Sequence, residues 1–185
     1  MIHLIFQSAL KSNDFSIENL REQAQRVVQS SLEELIAIKQ DEAMALDILE
    51  KTIPFIRSFG ETYVGPKPRK GATISSDLGP NVGQRLGCKN IALSKVLDVE
   101  EHLWSPTYGL KGMVDVSVEM AMEPNGKIVT APLELKTGKS SQFIQHRAQT
   151  VLYTLLMSDR YGKYPNISLD IYIYIQTMSR ILGTY

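Results

Sequence analysis

Apolar side chains recur at helical spacing through the first third of the chain. Residues 1–12 read as one amphipathic segment, and a second apolar series follows Ser16, whose hydroxyl can cap a helix. Asp41 can cap a third helix. Pro54 lies inside that helix and is expected to kink or divide it, because proline lacks the backbone N–H. The pattern predicts a helical segment over residues 1–64.

The pattern changes from residue 91 onward, where apolar and polar positions alternate as they do in strands. A loop rich in glycine and proline, residues 65–90, separates the two regions, and Asn125-Gly126 predicts a hairpin turn. Strands are expected at 91–99, 109–120, 128–136 and 169–177, and a helix at 141–158. This order predicts an α/β fold: a mixed sheet flanked by helices over residues 91–185, with the helical segment before it.

The composition sets limits on function. The chain has 185 residues, which fits one domain, and its 20 basic and 20 acidic residues balance, so nucleic-acid binding would need a local basic patch. Cys88 is the only cysteine, which excludes a disulfide framework and a cysteine metal knuckle within this chain. Since no apolar run is long enough to cross a bilayer, we expect no membrane partner.

Two neighbouring strands each carry an acid at an interior position. Asp115 interrupts one strand, and the pair Glu134 and Lys136 interrupts the next. The hairpin between the strands can bring Asp115 beside Glu134, and two close carboxylates repel unless a cation lies between them. Oxygen ligands suit Mg²⁺ or Mn²⁺. We therefore expect these charges to face an ion and solvent rather than the core, although a lone Glu-x-Lys pair more often marks a solvated surface.

The helix that follows carries a polar stripe. Gln149 and Tyr153 lie four residues apart on one face, with Gln142 and His146 roughly in line with them. Such a stripe is usually solvent-facing. Because this helix follows the Glu-x-Lys strand after a short turn, the stripe can instead line the rim of the same cleft.

These residues together resemble a known family. The order Asp115, Glu134-x-Lys136, Gln149-x-x-x-Tyr153 is similar to the RecB-like branch of the PD-(D/E)xK nucleases. Three blocks, WSPTYGLKGMVDVSV, PLELKTGK and HRAQTVLYTLL, resemble the nuclease domain of the eukaryotic DNA replication ATP-dependent helicase/nuclease. That resemblance implies a metal-dependent, restriction-endonuclease-like enzyme that cuts single-stranded DNA, processes the 5′ flaps of Okazaki fragments and resects broken DNA ends.

The resemblance also implies roles for individual residues. The metal ligands would be His3, Asp115, Glu134 and the backbone carbonyl of Leu135. Lys136 would position the attacking water, and Gln149 and Tyr153 would support the site. From their charge and place near the cleft, the candidates for DNA contacts are Lys111, Lys139, His146 and Arg147. Trp104, Tyr108 and Tyr161 are candidates for stacking on bases.

Some implied features lie outside this sequence. The family holds a 4Fe-4S cluster on four cysteines that this chain lacks, and it carries a helicase portion. We therefore expect residues 1–185 to be a single nuclease-domain fragment of a nuclear, and in part mitochondrial, protein that works with a single-strand DNA-binding protein. Two alternatives stay open: a stand-alone RecB-like exonuclease, and a non-catalytic DNA-binding or scaffolding module of the same fold.

Overall fold

The computed structural model describes five stretches of the chain: residues 1–73, 90–124, 126–135, 143–162 and 169–171. They divide into two compact units, Met1–Glu61 and Thr62–Ile173, and each unit is considered by itself. Within the described stretches, no helix combines the length and the apolar character needed to cross a membrane.

The first unit is helical, as the sequence predicts. Its helices are α1 (Ile2–Ser12), α2 (Ile17–Ser30), α3 (Leu32–Ala37) and α4 (Glu42–Tyr63), the last of which continues two residues into the second unit. Both expected caps are confirmed: the N–H of Asn19 donates to Ser16 Oγ at 3.3 Å, and the N–H of Met44 donates to Asp41 Oδ1 at 2.7 Å. Each cap satisfies one of the N–H groups that a first turn leaves without a partner.

Two expectations for these helices need correction. Of the two expected effects of Pro54, division of the helix is wrong, because α4 runs through Pro54 without a break, and a kink stays a prediction. The side chain of Pro54 is exposed, and the missing N–H therefore falls on the solvent side, where water can satisfy the carbonyl one turn earlier. The second apolar series is not one helix either, because the chain turns at Ser31 between α2 and α3.

Aromatic packing joins the start and the end of the first unit. The rings of Phe6 and Phe59 meet edge to face, with centroids 4.9 Å apart and planes at 61°. Such pairs contribute about 0.5–1.5 kcal/mol beyond the area that they bury. The rest of this core comes from the apolar positions that the helical spacing selects, among them Ile5, Leu10, Leu20, Val28, Leu49 and Ile56.

The second unit is a mixed sheet with one long helix. The strands are β1 (Ile91–Ser105), β2 (Leu110–Met122), β3 (Lys127–Leu135) and β4 (Leu169–Ile171), and the helix between β3 and β4 is α5 (Phe143–Tyr161). The sheet order is β1-β2-β3-β4, with three antiparallel strands and β4 parallel to β3. A parallel pair needs a long crossover, and α5 lies within it. The α/β class is confirmed.

Three details of the second unit complete the comparison with the sequence. The β2–β3 hairpin closes at the pair Met122–Lys127, and Gly126 has φ 63°, a conformation that glycine adopts without strain. The first residues of the expected loop lie against β1, since the N–H of Gly65 donates to the carbonyl of Leu93 at 3.0 Å. Residues 74–89, with Cys88, fall outside the described residues.

α5 packs on the β1–β2 hairpin through a small apolar cluster. Leu103 of β1 and Val114 of β2 are buried against Leu156 and Met157 of α5, and Tyr153 and Tyr161 pack at the edge. Burial of side chains of this size stabilises by about 1.5–3 kcal/mol each. The cluster therefore fixes the helix on one side of the hairpin.

A buried carboxylate reinforces that contact. Glu101 is only 7% exposed, and the hydroxyl of Tyr161 lies 2.9 Å from both of its carboxylate oxygens. Ser117 Oγ also donates to Glu101, and Arg160 Nε approaches to 3.8 Å. The prediction that Tyr161 stacks on bases is wrong, because its ring packs against the apolar cluster and its hydroxyl is bonded to Glu101.

The same surroundings change the acidity of the phenol. Burial raises the pKa of Tyr161 to about 12, and the hydrogen bond to Glu101 and the negative charge of that carboxylate act in the same direction. The positive charge of Arg160 opposes the shift. A phenolate beside a buried carboxylate would be a like-charge pair, so the neutral phenol is the form that suits the fold.

We expect Tyr161→Phe to lower the free energy of unfolding by about 1.5–3 kcal/mol at neutral pH, because a donor to a buried charge is lost. The folded-state pKa is raised, so this contribution is fully present below the unfolded value of 10.0 and is lost as the pH rises toward about 12. Urea unfolding at a series of pH values measures both effects.

The matched control is Tyr63→Phe. Its hydroxyl donates at 3.2 Å to the carbonyl of Thr73 in an exposed position, so its loss is expected to cost less than about 1 kcal/mol. Equal losses for the two variants would contradict a special role for the bond between Tyr161 and Glu101.

Candidate functional site

The site forms where the pairing of β2 with β3 ends. The last paired residues are Val116 and Leu133, and the next residue outward on β2 is Asp115. The N–H of Leu135 donates to Asp115 Oδ2 at 2.8 Å. Beyond the last β2–β3 pair, the backbone N–H of Leu135 has no β2 carbonyl as its acceptor, and the carboxylate of Asp115 accepts its hydrogen bond instead. This bond holds Asp115 against the residue that follows Glu134.

Glu134 is held from the helix. It is 5% exposed, and Gln149 of α5 donates from Nε2 to Glu134 Oε1 at 2.9 Å. The same nitrogen lies 2.8 Å from the hydroxyl of Tyr153. Because an ionised carboxylate can only accept, the amide must present its NH₂ group to Glu134. The two amide protons are thereby directed to Glu134 and Tyr153, and the orientation of Gln149 follows.

The predicted surroundings of the two acids need one correction. We expected both carboxylates to face an ion and solvent, yet Leu133, Glu134 and Leu135 are all buried. β3 lies between β2 and β4, with Glu134 opposite Asp170 in the parallel register, and it is covered on both faces. Asp115, which is half-buried, fits the expectation better. An apolar strand therefore carries Glu134 inside the protein, and a polar helix side chain meets it there.

A glycine allows the helix to come this close. A Cβ at Gly112 would lie 3.0 Å from Leu156 Cδ1 and 3.1 Å from Tyr153 Cε1, so α5 approaches the backbone of β2 directly. Glycine inside a strand often marks such a close approach. The position of Tyr153, and through it that of Gln149, depends on the missing side chain.

The remaining predicted residues lie on three different elements or outside the described residues. Lys111 is exposed on β2, and His3 lies on α1 of the first unit. His146 and Arg147 are on α5, but their side chains are outside the described residues, as are Lys136 and Lys139 altogether. Their roles, like the ligand role of the Leu135 carbonyl, stay predictions. The structure brings together Asp115, Glu134, Gln149 and Tyr153.

The donor set can be compared with the implied cofactors. Asp115 and Glu134 offer carboxylate oxygens at one strand end, the chemistry that Mg²⁺ and Mn²⁺ take, and the described residues of the second unit add no third His, Cys, Asp or Glu to them. A 4Fe-4S cluster does not fit this chain, since one cysteine cannot supply four thiolates.

Sequence reasoning missed the polar contacts at the far end of α5. Asp159 accepts from Thr107 Oγ1 at 3.1 Å and also from Ser105 Oγ, and these bonds attach the helix to the turn between β1 and β2. The signal was weak: Ser105 and Thr107 read as turn residues, and Asp159 as a polar helix end. Only the packing of α5 on the hairpin makes them partners.

We expect Gly112→Val to lower the free energy of unfolding by about 1–3 kcal/mol, because its side chain would overlap the positions of Leu156 and Tyr153. Urea denaturation measures the change. The matched control is Met113→Val at the next, exposed position, where we expect a change within about 0.5 kcal/mol. A harmless Gly112→Val would mean that α5 does not approach β2 this closely.

Comparisons with known proteins identify the family. The family "DNA replication factor Dna2" matches residues 1–120. The chain is 36% identical over 177 residues to DNA replication ATP-dependent helicase/nuclease JHS1 of Arabidopsis thaliana, covering 92% of this chain and 13% of that protein. It is 37% identical over 169 residues to DNA2 of Mus musculus (86% and 15%) and 33% identical over 182 residues to DNA2 of Homo sapiens (94% and 17%). The chain thus spans less than a fifth of each relative, and it belongs to the Dna2 family of DNA replication factors.

Proposed function

We propose that this chain is a nuclease segment of the PD-(D/E)xK type and that it hydrolyses phosphodiester bonds in single-stranded DNA, including 5′ flaps. The observation that carries the proposal is the hydrogen bond from the Leu135 N–H to Asp115. This bond holds the Asp115 carboxylate beside Leu135, the residue that follows Glu134. The relatives named DNA replication helicase/nuclease support the reaction class.

The acids are the proposed ligands of a divalent cation, Mg²⁺ or Mn²⁺, with the Leu135 carbonyl as a further donor, and the ligand role of His3 stays what the family resemblance implies. When bound, such a cation would act as a Lewis acid on the phosphate and would lower the pKa of a water molecule bound to it. Asp115 is oriented for this role by the backbone of β3, and Glu134 by the amide of Gln149. Partners that orient ligands in this way typically change metal affinity or activity by about 10- to 100-fold when they are removed.

The remaining steps fall to side chains that the family pattern selects. Lys136 would orient the attacking water and stabilise charge on the phosphoryl oxygens. Gln149 and Tyr153 keep Glu134 in one position, so its carboxylate need not reorganise during the reaction. Lys111, Lys139, His146 and Arg147 are the proposed contacts to the DNA backbone, where cationic side chains neutralise phosphates and release their bound counterions.

In a longer protein this segment would act with an ATP-dependent helicase portion and a 4Fe-4S cluster held by cysteines elsewhere. We propose roles in Okazaki fragment maturation and DNA end resection, a nuclear and in part mitochondrial location, and guidance by a single-strand DNA-binding protein. The support for these is the match to the Dna2 family and to full-length relatives five or more times as long as this chain.

We expect the chain to cut a labelled 5′-flap DNA in Mg²⁺ or Mn²⁺ and to leave it intact in EDTA. Lys136→Ala is expected to reduce cleavage by about 100- to 1,000-fold while leaving DNA binding nearly unchanged, because the lysine acts on charge that develops during the reaction. Gel analysis of cleavage and fluorescence anisotropy of binding give the two readouts.

Glu134→Gln serves as the isosteric control that removes the negative charge. Circular dichroism of each variant shows that it is folded. A folded chain that binds the flap but cuts it under none of these conditions would overturn the nuclease proposal in favour of a DNA-binding or scaffolding module.

We expect Gln149→Leu to reduce cleavage by about 10- to 100-fold and to raise the Mg²⁺ concentration needed for half-maximal cleavage, because Glu134 loses the donor that orients it. Tyr153→Phe removes the acceptor for the second amide proton but leaves the bond from Gln149 to Glu134 in place, so a smaller loss is expected. A Mg²⁺ titration of cleavage for both variants checks whether Gln149→Leu has the larger defect. A larger defect in Tyr153→Phe than in Gln149→Leu would contradict it.

A further inference from the structure

The β1–β2 hairpin presents one face away from α5. Trp104 of β1 pairs with Lys111 of β2, and His102 pairs with Met113. Residues directly opposite one another in an antiparallel pair lie on the same face, so these four form one surface, here called the outer hairpin face. Trp104 is 79% exposed and Met113 is 43% exposed, and His102 and Lys111 are exposed as well.

The other face of the hairpin is fully engaged. Glu101, Leu103 and Ser105 alternate with the exposed residues of β1 and are buried. Leu103 packs in the cluster with α5, and Glu101 and Ser105 bond to Tyr161 and Asp159. The outer hairpin face is therefore supported by packing and hydrogen bonds on the opposite side of the same two strands.

The outer hairpin face also lies in line with the candidate site. Lys111, Met113 and Asp115 occupy alternate positions of β2, while the intervening Gly112 and Val114 face α5. At about 3.3 Å per residue, Lys111 is about 13 Å from Asp115 along the strand. An extended DNA strand with its phosphate at Asp115 would reach this surface within a few nucleotides.

The chemistry of the surface selects the occupant. A single exposed aromatic side chain would need no explanation, but here Trp104 stands opposite a lysine, and Tyr108 in the adjoining turn is 42% exposed. Two neighbouring carboxylates, Glu101 and Asp159, are bonded on the inner side of the hairpin. Aromatic faces beside a cation are what binds the bases and phosphates of a single strand, whereas a duplex keeps its base faces stacked.

We propose that the outer hairpin face is a stacking site for single-stranded DNA: a base stacks on Trp104, Tyr108 extends the aromatic surface, and Lys111 contacts a phosphate. This inference rests on the proposed function, since it names where the strand leaves the site that cuts it. The surface would hold the strand in register with Asp115 without taking part in the chemistry.

The chain offers a direct probe, because Trp104 is its only tryptophan. In EDTA, so that no cutting occurs, we expect unlabelled oligothymidine to quench the tryptophan fluorescence in a saturable, salt-sensitive way. Blunt duplex DNA of the same length is expected to leave the signal nearly unchanged. Trp104→Leu keeps an apolar side chain but removes the aromatic face. We expect it to raise the Kd for a labelled oligothymidine, measured by fluorescence anisotropy, by about ten-fold.

Two variants supply the controls. Ile128→Leu, at an exposed position of β3 outside the outer hairpin face, is expected to bind as the unmodified chain does. In the double variant Trp104→Phe with Phe55→Trp, the reporter moves to an exposed position on α4, and we expect no quenching although the strand still binds. The proposal is overturned if oligothymidine binds without quenching Trp104, if duplex DNA quenches it equally, if the relocated tryptophan is quenched as strongly, or if no binding occurs.

The outcome is separable from that of the proposed function. Quenching in EDTA by a chain that never cuts would support the stacking site and overturn the nuclease proposal. Cleavage in Mg²⁺ without quenching in EDTA would do the reverse, and another protein segment would then be the better occupant of the outer hairpin face.

Discussion

The candidate site depends on one hydrogen bond, from the backbone of Leu135 to the carboxylate of Asp115. It forms where β2 and β3 stop pairing, so a side chain does what the neighbouring strand no longer does for the N–H group. The bond is charge-assisted and links β2 to β3 just beyond their last backbone pair. It places one acid beside the backbone of the residue next to Glu134, and the proposal that the two acids share a cation depends on that proximity.

α5 connects this strand end to the rest of the second unit. Its last turns are bound to the hairpin by the buried Glu101 with Tyr161, and by Asp159 with the β1–β2 turn. Its middle approaches β2 where Gly112 has no side chain, and Gln149 then meets Glu134. Because the contacts of Glu101, Gly112 and Gln149 sit on strands and a helix rather than on loops, the core resists small errors in their positions. The arrangement also gives the hairpin two faces with different tasks, one for packing and one directed to the surroundings.

Much of this organisation could be predicted from periodicity. The helical first unit, its caps at Ser16 and Asp41, the β2–β3 hairpin and the α/β class all follow from local rules, because spacing and capping depend on near neighbours in the chain. The errors share a cause. Pro54 does not divide α4, because its missing N–H falls on the solvent side of the helix. Tyr161 is a packing residue, because its hydroxyl bonds to the buried Glu101. Neither fact is visible without the distant parts of the chain.

The sequence by itself determined which residues are the candidates for the chemistry: an acid on each of two hairpin-linked strands, a lysine two positions on, and a glutamine and a tyrosine on one face of the next helix. Residue type and local spacing suffice for that, since hairpins and helices place near neighbours in known ways. Only the tertiary structure decided that Glu134 is buried, that the amide of Gln149 meets its Oε1, and that Trp104 is exposed while Leu103 beside it is not. Burial is a property of the packed whole, because it depends on which distant segment covers each face.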